Sequence, residues 1–185
     1  MNRKTAMKLF GLLGLLMLLS CGYADRHRNN SSCEQVLVDS LEVRVQDSLF
    51  SNVHYSRSQV LDALTQAQDS QVYYRLLALY GKTFFVSSDF DSILYYNRRV
   101  KEFFRNASQS SESLQSPQWN DVLSDVYNIE GNVWMQLNRP DSAITDYKKA
   151  YGYRLEGKKL HLLPDICINI ADAYLPRSDL AHTAS

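Results

Sequence analysis

Residues 116–157 read SPQWNDVLSDVYNIEGNVWMQLNRPDSAITDYKKAYGYRLEG and contain two consecutive amphipathic patterns. Ser116 is a residue type that caps helices, and Pro117 suits a first turn, where a missing N–H needs no partner. The Asn-Arg-Pro sequence at 138–140 ends the first pattern, because proline disfavours helix in the residue before it. Apolar residues recur at helical spacing between these limits and predict a buried face made of Trp119, Val122, Val126, Val133 and Leu137.

A second helical pattern begins directly after Pro140. Its apolar and small residues fall on one side of a helix, and they are Ala143, Ile144, Tyr147, Ala150 and Tyr151. Two amphipathic helices joined by so short a connection predict a helical hairpin.

This hairpin resembles a tetratricopeptide repeat (TPR). The family pattern is W-x2-L-G-x2-Y, followed by A-x3-F and a further small residue. Small residues let the two helices approach closely, and aromatic residues fill the space beside them. Glu130 departs from the pattern, since the family has an apolar residue there. The matching positions are Tyr127, Gly131, Trp134, Ala143, Tyr147 and Ala150.

Two weaker copies flank this hairpin. Gly81 and Phe84 precede Gly131 and Trp134 by the same 50 residues, although Asn97 stands where an aromatic residue is expected. After Pro164, four residues repeat the first-helix pattern, and they are Cys167, Ile170, Ala171 and Tyr174. We expect the helix face that carries them to be buried.

The resemblance implies an all-α, TPR-like solenoid of helical hairpins, degenerate in one repeat and truncated in the last. The predicted parts are N-terminal helices (33–68, a cap or a decayed repeat), a degenerate TPR (69–107), a serine-rich loop (108–116), a TPR (117–157) and an incomplete TPR (158–185). Leu41, Val43 and Val45 also alternate like a strand, but the helical context favours helix. We expect a continuation of the chain, a partner or self-association with a second copy to cover the open last repeat.

The N-terminus carries a targeting pattern. Residues 1–20 combine basic residues with an apolar run from Leu9 to Leu19, which is shorter than the about 20 residues that span a bilayer. This is typical of a signal peptide. Leu18-Leu19-Ser20-Cys21 resembles the lipobox of Bacteroidetes-type and other bacterial lipoproteins, in which the cysteine is lipidated. The resemblance implies a lipid-anchored cell-envelope protein with a tether over 21–32. Gly22, rather than an aspartate, follows the cysteine, which resembles lipoproteins released to the outer membrane.

Composition and motifs exclude several function classes. The chain has 20 basic and 20 acidic residues, so no basic excess favours nucleic-acid binding in this segment. Its four histidines (His27, His54, His161 and His182) are scattered, and none has the spacing of a metal site. No nucleophile motif or phosphate-binding loop is present. The sequence predicts neither an enzyme nor a cofactor or metal site.

The predicted function is that of a protein- or peptide-binding scaffold. In TPRs the first helices of the repeats line the groove that binds the ligand. By this resemblance the candidate groove residues are Lys82, Phe85, Asn128, Asn132, Met135 and Gln136. The alternative is a truncated sensor ectodomain, since irregular TPRs behind a lipobox also resemble the amino-terminal parts of envelope transcriptional regulators and sensor kinases.

The lipobox predicts that Cys21 is the acylated residue. Replacement of its thiol in Cys21→Ala should abolish incorporation of a labelled fatty acid and leave unprocessed precursor. Metabolic labelling followed by gel analysis measures both effects, and Cys33→Ala is the control. Undiminished labelling of Cys21→Ala would contradict the assignment.

Overall fold

A computed structural model describes residues 35–107 and 116–175, and these residues are helical without a strand. The all-α prediction is confirmed for this part of the chain. The predicted signal peptide, Cys21, the predicted tether, residues 108–115 of the predicted serine-rich loop and residues 176–185 of the predicted last repeat lie outside it. The helices are α1 (35–48), α2 (Val53–Gln66), α3 (Ser70–Lys82), α4 (Phe90–Ala107), α5 (Pro117–Gln136), α6 (Pro140–Leu155) and α7 (Leu163–Tyr174), with a 3-10 turn at Leu160–Leu162.

Helix α1 decides between the helix and strand interpretations of residues 41–45. Leu41, Val43 and Val45 lie within α1, so the strand interpretation was wrong. Leu41 and Val45 are buried with Val38 and Leu49, whereas Val43 is 62% exposed. Burial thus follows the period of a helix rather than the alternation of a strand.

Helices α5 and α6 form an antiparallel hairpin. Asn138 adopts a positive φ of 55° directly after α5. The N–H of Arg139 donates to the carbonyl of Trp134 at 2.8 Å, and that of Asn138 donates to Met135 at 3.1 Å. This is the Schellman arrangement that ends helices, and it reverses the chain into Pro140.

The same turn occurs 50 residues earlier. Ser88 is the other non-glycine residue with positive φ (53°) in the described part. The N–H of Asp89 donates to the carbonyl of Phe84 at 3.2 Å, and that of Ser88 donates to Phe85 at 3.0 Å. Helices α3 and α4 follow each other through a turn of the same type as α5 and α6.

We call α3 and α4 the first hairpin and α5 and α6 the second hairpin. Close packing inside the second hairpin depends on Gly131. This residue is buried beneath the ring of Tyr147. A Cβ there would lie 2.9 Å from Cζ of Tyr147 and nearer still to two other ring carbons. Ala143 and Ala150 are fully buried on the same side of α6. A side chain larger than hydrogen at residue 131 would therefore push α6 away from α5.

An ionic cluster fixes the connection from α6 to α7. Arg154 is 1% exposed and donates to Asp121 Oδ1 at 2.7 Å and to Asp125. The Asp121 carboxylate also accepts from the backbone N–H groups of residues 158 and 159. A Cβ at Gly157 would meet Asp121 Cγ at 2.9 Å. The connection thus closes tightly over the first turn of α5.

Burial on the last helix differs from the prediction. Ile166 and Ala173 are the buried residues of α7, while Cys167, Ala171 and Tyr174 are exposed. They were expected on the face of the last repeat that a continuation, a partner or a second copy would cover, whereas α7 turns its 166/170/173 stripe toward α6. Leu137 is likewise 43% exposed, since it caps the end of α5.

Two glycine substitutions test the contact between α5 and α6. Gly131→Ala should lower the free energy of unfolding by about 1–3 kcal/mol through overpacking against Tyr147. Gly152→Ala is the matched control, because a Cβ there meets nothing within 4 Å and alanine favours helix by about 1 kcal/mol. Chemical denaturation of both variants measures the difference. If Gly131→Ala raised the free energy of unfolding as much as Gly152→Ala, the close contact between Gly131 and Tyr147 would be contradicted.

Candidate functional site

Two asparagines on α5 form the centre of the candidate site. Asn128 and Asn132 are half-buried and one helical turn apart. The hydroxyl of Tyr147 donates to Asn132 Oδ1 at 2.7 Å, and Nδ2 of Asn169 on α7 donates to Asn128 Oδ1 at 3.0 Å. Both acceptor oxygens are therefore used within the protein. Among the described residues, neither Nδ2 group has a hydrogen-bond partner.

The other predicted groove residues are held in different ways. Lys82 Nζ donates to Gln46 of α1 at 2.7 Å, and the Phe85 ring lies 6.5 Å from that of Phe90. Met135 packs against the small cluster between α6 and α7. Gln136 is exposed. The structure thus brings Asn128, Asn132 and Met135 together beside α7, whereas Lys82 faces α1.

The two residues that depart from the repeat pattern meet between α4 and α5. Asn97 is fully buried and donates from Nδ2 to the carbonyl of Val126 at 3.2 Å. Lys101 Nζ lies 2.7 and 2.6 Å from the two carboxylate oxygens of Glu130, whose side chain is 4% exposed. Burial raises the pKa of Glu130, and Lys101 opposes that rise.

Tyr127 lies close to two lysines. Its ring centroid is 5.1 Å from Lys101 Nζ and 4.9 Å from Lys149 Nζ, and the ring stacks on Tyr153. Burial, followed by the neighbouring Tyr153 and Glu130, raises the pKa of Tyr127 to about 12. The phenol is neutral near pH 7, as an ordinary tyrosine also is, and its ring attracts both ammonium groups.

A cluster of charged side chains joins α1 to the rest of the protein. Arg75 of α3 is 4% exposed and donates to Asp39 at 2.7 Å and to Glu42 at 3.2 Å. The other oxygen of Glu42 accepts from Lys159 Nζ at 2.7 Å. Glu42 therefore connects α3 with the α6–α7 segment, and it raises the pKa of Lys159 against the opposing effect of burial.

These polar contacts were outside the reach of sequence patterns, although two of them had a sequence signal. Asn97 and Glu130 stood out because each replaces an apolar residue of the repeat pattern. Nothing in the sequence paired them or pointed to Lys101. Arg75, Asp121 and Arg154 carried no signal, because charged residues on amphipathic helices are usually solvent-exposed.

A shallow cleft of 410 Å³ lies apart from the asparagines, between α3 and α4. Its floor includes the stacked rings of Tyr74 and Phe103, whose centroids are 4.1 Å apart. Arg99, Glu102 and Asn106 form its polar rim. This arrangement can accept an apolar side chain.

Comparison of the chain with family models, with curated proteins and with solved structures found no match. No helix of the described part has the length and apolar character needed to cross a membrane. Within the same residues, no three histidine, cysteine or acidic side chains come together as metal ligands.

The buried Glu130 carboxylate predicts a pH-dependent stability. Its pKa is raised in the folded protein, so its contribution to folding is greatest below the pKa of an ordinary glutamate and declines as the pH rises through the raised value. Glu130→Gln removes this titration. The free energy of unfolding of the variant, relative to wild type, should therefore increase as the pH rises above about 4.3, the pKa of an ordinary glutamate.

Denaturant unfolding at a series of pH values measures this difference. Glu102→Gln, which removes an exposed carboxylate from α4, controls for the change in net charge. The same pH trend in both variants would show that burial of Glu130 is not its cause.

Proposed function

We propose that the chain is a lipid-anchored protein of a bacterial cell envelope that acts as a TPR-like scaffold and binds an extended peptide segment of a protein partner. The lipidation at Cys21 rests on the Leu18-Leu19-Ser20-Cys21 pattern, and the outer-membrane location rests on Gly22, which follows the cysteine in place of an aspartate. The scaffold and the peptide-binding mode are supported by contacts among the described helices.

Recurrence of local structure at one offset supports the repeat scaffold. The left-handed residues Ser88 and Asn138 are 50 residues apart, as are Gly81 and Gly131. A Cβ at Gly81 would lie 3.1 Å from Tyr96 Cβ on the next helix, so this glycine also permits a close helix approach. Local structure that repeats with the sequence is typical of helical-repeat proteins.

Contacts between alternate helices also support it. Arg75 of α3 binds Asp39 of α1. Trp119 Nε1 of α5 donates to Gln71 of α3 at 3.3 Å, and Asn169 of α7 donates to α5. The first helices of successive hairpins thus contact one another, as expected of the layer that lines a TPR groove.

The observation that carries the peptide proposal is the pair of unpartnered amide donors at Asn128 and Asn132. Residues four apart on a helix are separated by about 6 Å along its axis. Carbonyls on one side of an extended peptide recur every second residue, at about 6.6 Å. The two Nδ2 groups can therefore donate to alternate carbonyls of one peptide, and their oxygens stay bound to Tyr147 and Asn169.

The test uses a phage library of random linear peptides selected on the immobilised protein. Asn128→Asp and Asn132→Asp keep the acceptor oxygens for their internal partners and remove the donors. We expect the selected peptides to bind the double variant at least about tenfold more weakly, a loss of about 1.4 kcal/mol.

Gln66→Glu/Gln118→Glu is the matched control, because it adds the same two negative charges, one at the end of α2 and one near the start of α5. Binding to this variant should equal that to wild type. Failure to enrich any peptide, or equal binding to the double aspartate variant and the control, would refute peptide recognition by these amides.

A further inference from the structure

Helix α7 is apolar on two sides, and only one of them is covered. Ile166, Ile170 and Ala173 face the hairpin, where Ile170 and Ala173 pack with Ala143 and Tyr147 of α6. An amphipathic surface helix has one apolar face. The second apolar side of α7 therefore has to be explained separately.

The second side is a continuous exposed stripe. It covers about 120° of the helix circumference at 100° per residue, and no charged residue lies within it. Ile168 is 58% exposed, Tyr174 60% and Leu175 64%. We call this surface the α7 stripe, and its residues are Pro164, Cys167, Ile168, Ala171, Tyr174 and Leu175.

Opposite charges border the α7 stripe. Asp165 and Asp172 are exposed along one edge. Lys148 of α6 lies at the other edge, where its Nζ is 5.7 Å from the ring centroid of Tyr174. Asp172 and Tyr174 differ by two residues, or about 3 Å along the helix axis. Asp172 on the acidic edge and Lys148 on the basic edge therefore lie at nearly the same position along the α7 axis.

This distribution of charge specifies the occupant. A two-fold axis parallel to α7 would bring the acidic edge of one copy against the basic edge of the other. A two-fold axis perpendicular to α7 would instead bring like edges together, which is unfavourable. We propose that the α7 stripe binds the α7 stripe of a second copy of this chain in parallel orientation, with Asp172 of each copy beside Lys148 of the other.

The parallel arrangement has a specific geometric consequence. In a parallel pair of helices related by a two-fold axis, equivalent residues of the contact stripe face each other at the same height. Cys167 and Ala171 would each lie opposite their own copies. The small Ala171 side chain permits a close helix approach, while Tyr174 and Leu175 cover the end of the contact. Asn128 and Asn132 are on a different helix, so this proposal is independent of peptide binding.

Oxidative cross-linking tests the proposal in intact cells that produce the full chain. Copper phenanthroline oxidises two facing thiols to a disulfide, and Cys33→Ser simplifies the products. We expect a disulfide-linked dimer that is absent from Cys33→Ser/Cys167→Ser. Ala171→Glu in the Cys33→Ser background should slow its formation at least about tenfold, whereas Leu61→Glu, at an exposed position of α2, should not.

Charge exchange tests the orientation. Asp172→Lys and Lys148→Asp should each slow cross-linking, and the double variant should restore the rate. An unchanged rate of cross-linking in all three variants would refute the parallel contact. Absence of cross-linking would also overturn the proposal. In that case, rapid maleimide labelling of Cys167 would show a free stripe, and slow labelling would show that residues 176–185 or another protein cover it.

Discussion

The contact between Gly131 and the ring of Tyr147 is the constraint on which the second hairpin depends. Because glycine leaves room for the ring, α6 lies close enough for Ala143 and Ala150 to be fully buried. The same tyrosine then donates its hydroxyl to Asn132. A steric requirement at one residue thus also determines the orientation of an amide in the candidate site.

Polar residues in the interior act in pairs across helices. Glu130 is tolerated at an apolar position because Lys101 of α4 reaches both carboxylate oxygens. Asn97, one turn before Lys101, donates to the backbone of α5. The Glu130 carboxylate and the Nδ2 group of Asn97 are therefore each matched by a group on the neighbouring helix. Buried ion pairs add little net stability, but unpaired burial would be costly, so these contacts favour one arrangement of α4 on α5.

Helix α7 has a different role on each side. Asn169 binds α5, and the Ile170 side packs with α6. The opposite stripe, which includes Ile168 and Tyr174, is exposed. The peptide-binding and self-association proposals thus use separate surfaces, and one can operate without blocking the other. The proposed lipidation site, Cys21, precedes α1 in the sequence, whereas α7 follows all the other helices.

Local physics made much of this fold predictable from the sequence by itself. The helical class, the break before Pro140 and the glycine and small residues of the second hairpin follow from periodicity, turn chemistry and side-chain size, all of which act over a few residues. Only the tertiary structure decided the partner of Glu130, the orientation of the Asn128 amide and which apolar side of α7 is buried. These depend on residues that are distant along the chain, and a helix with two apolar sides does not specify which of them its neighbour will cover.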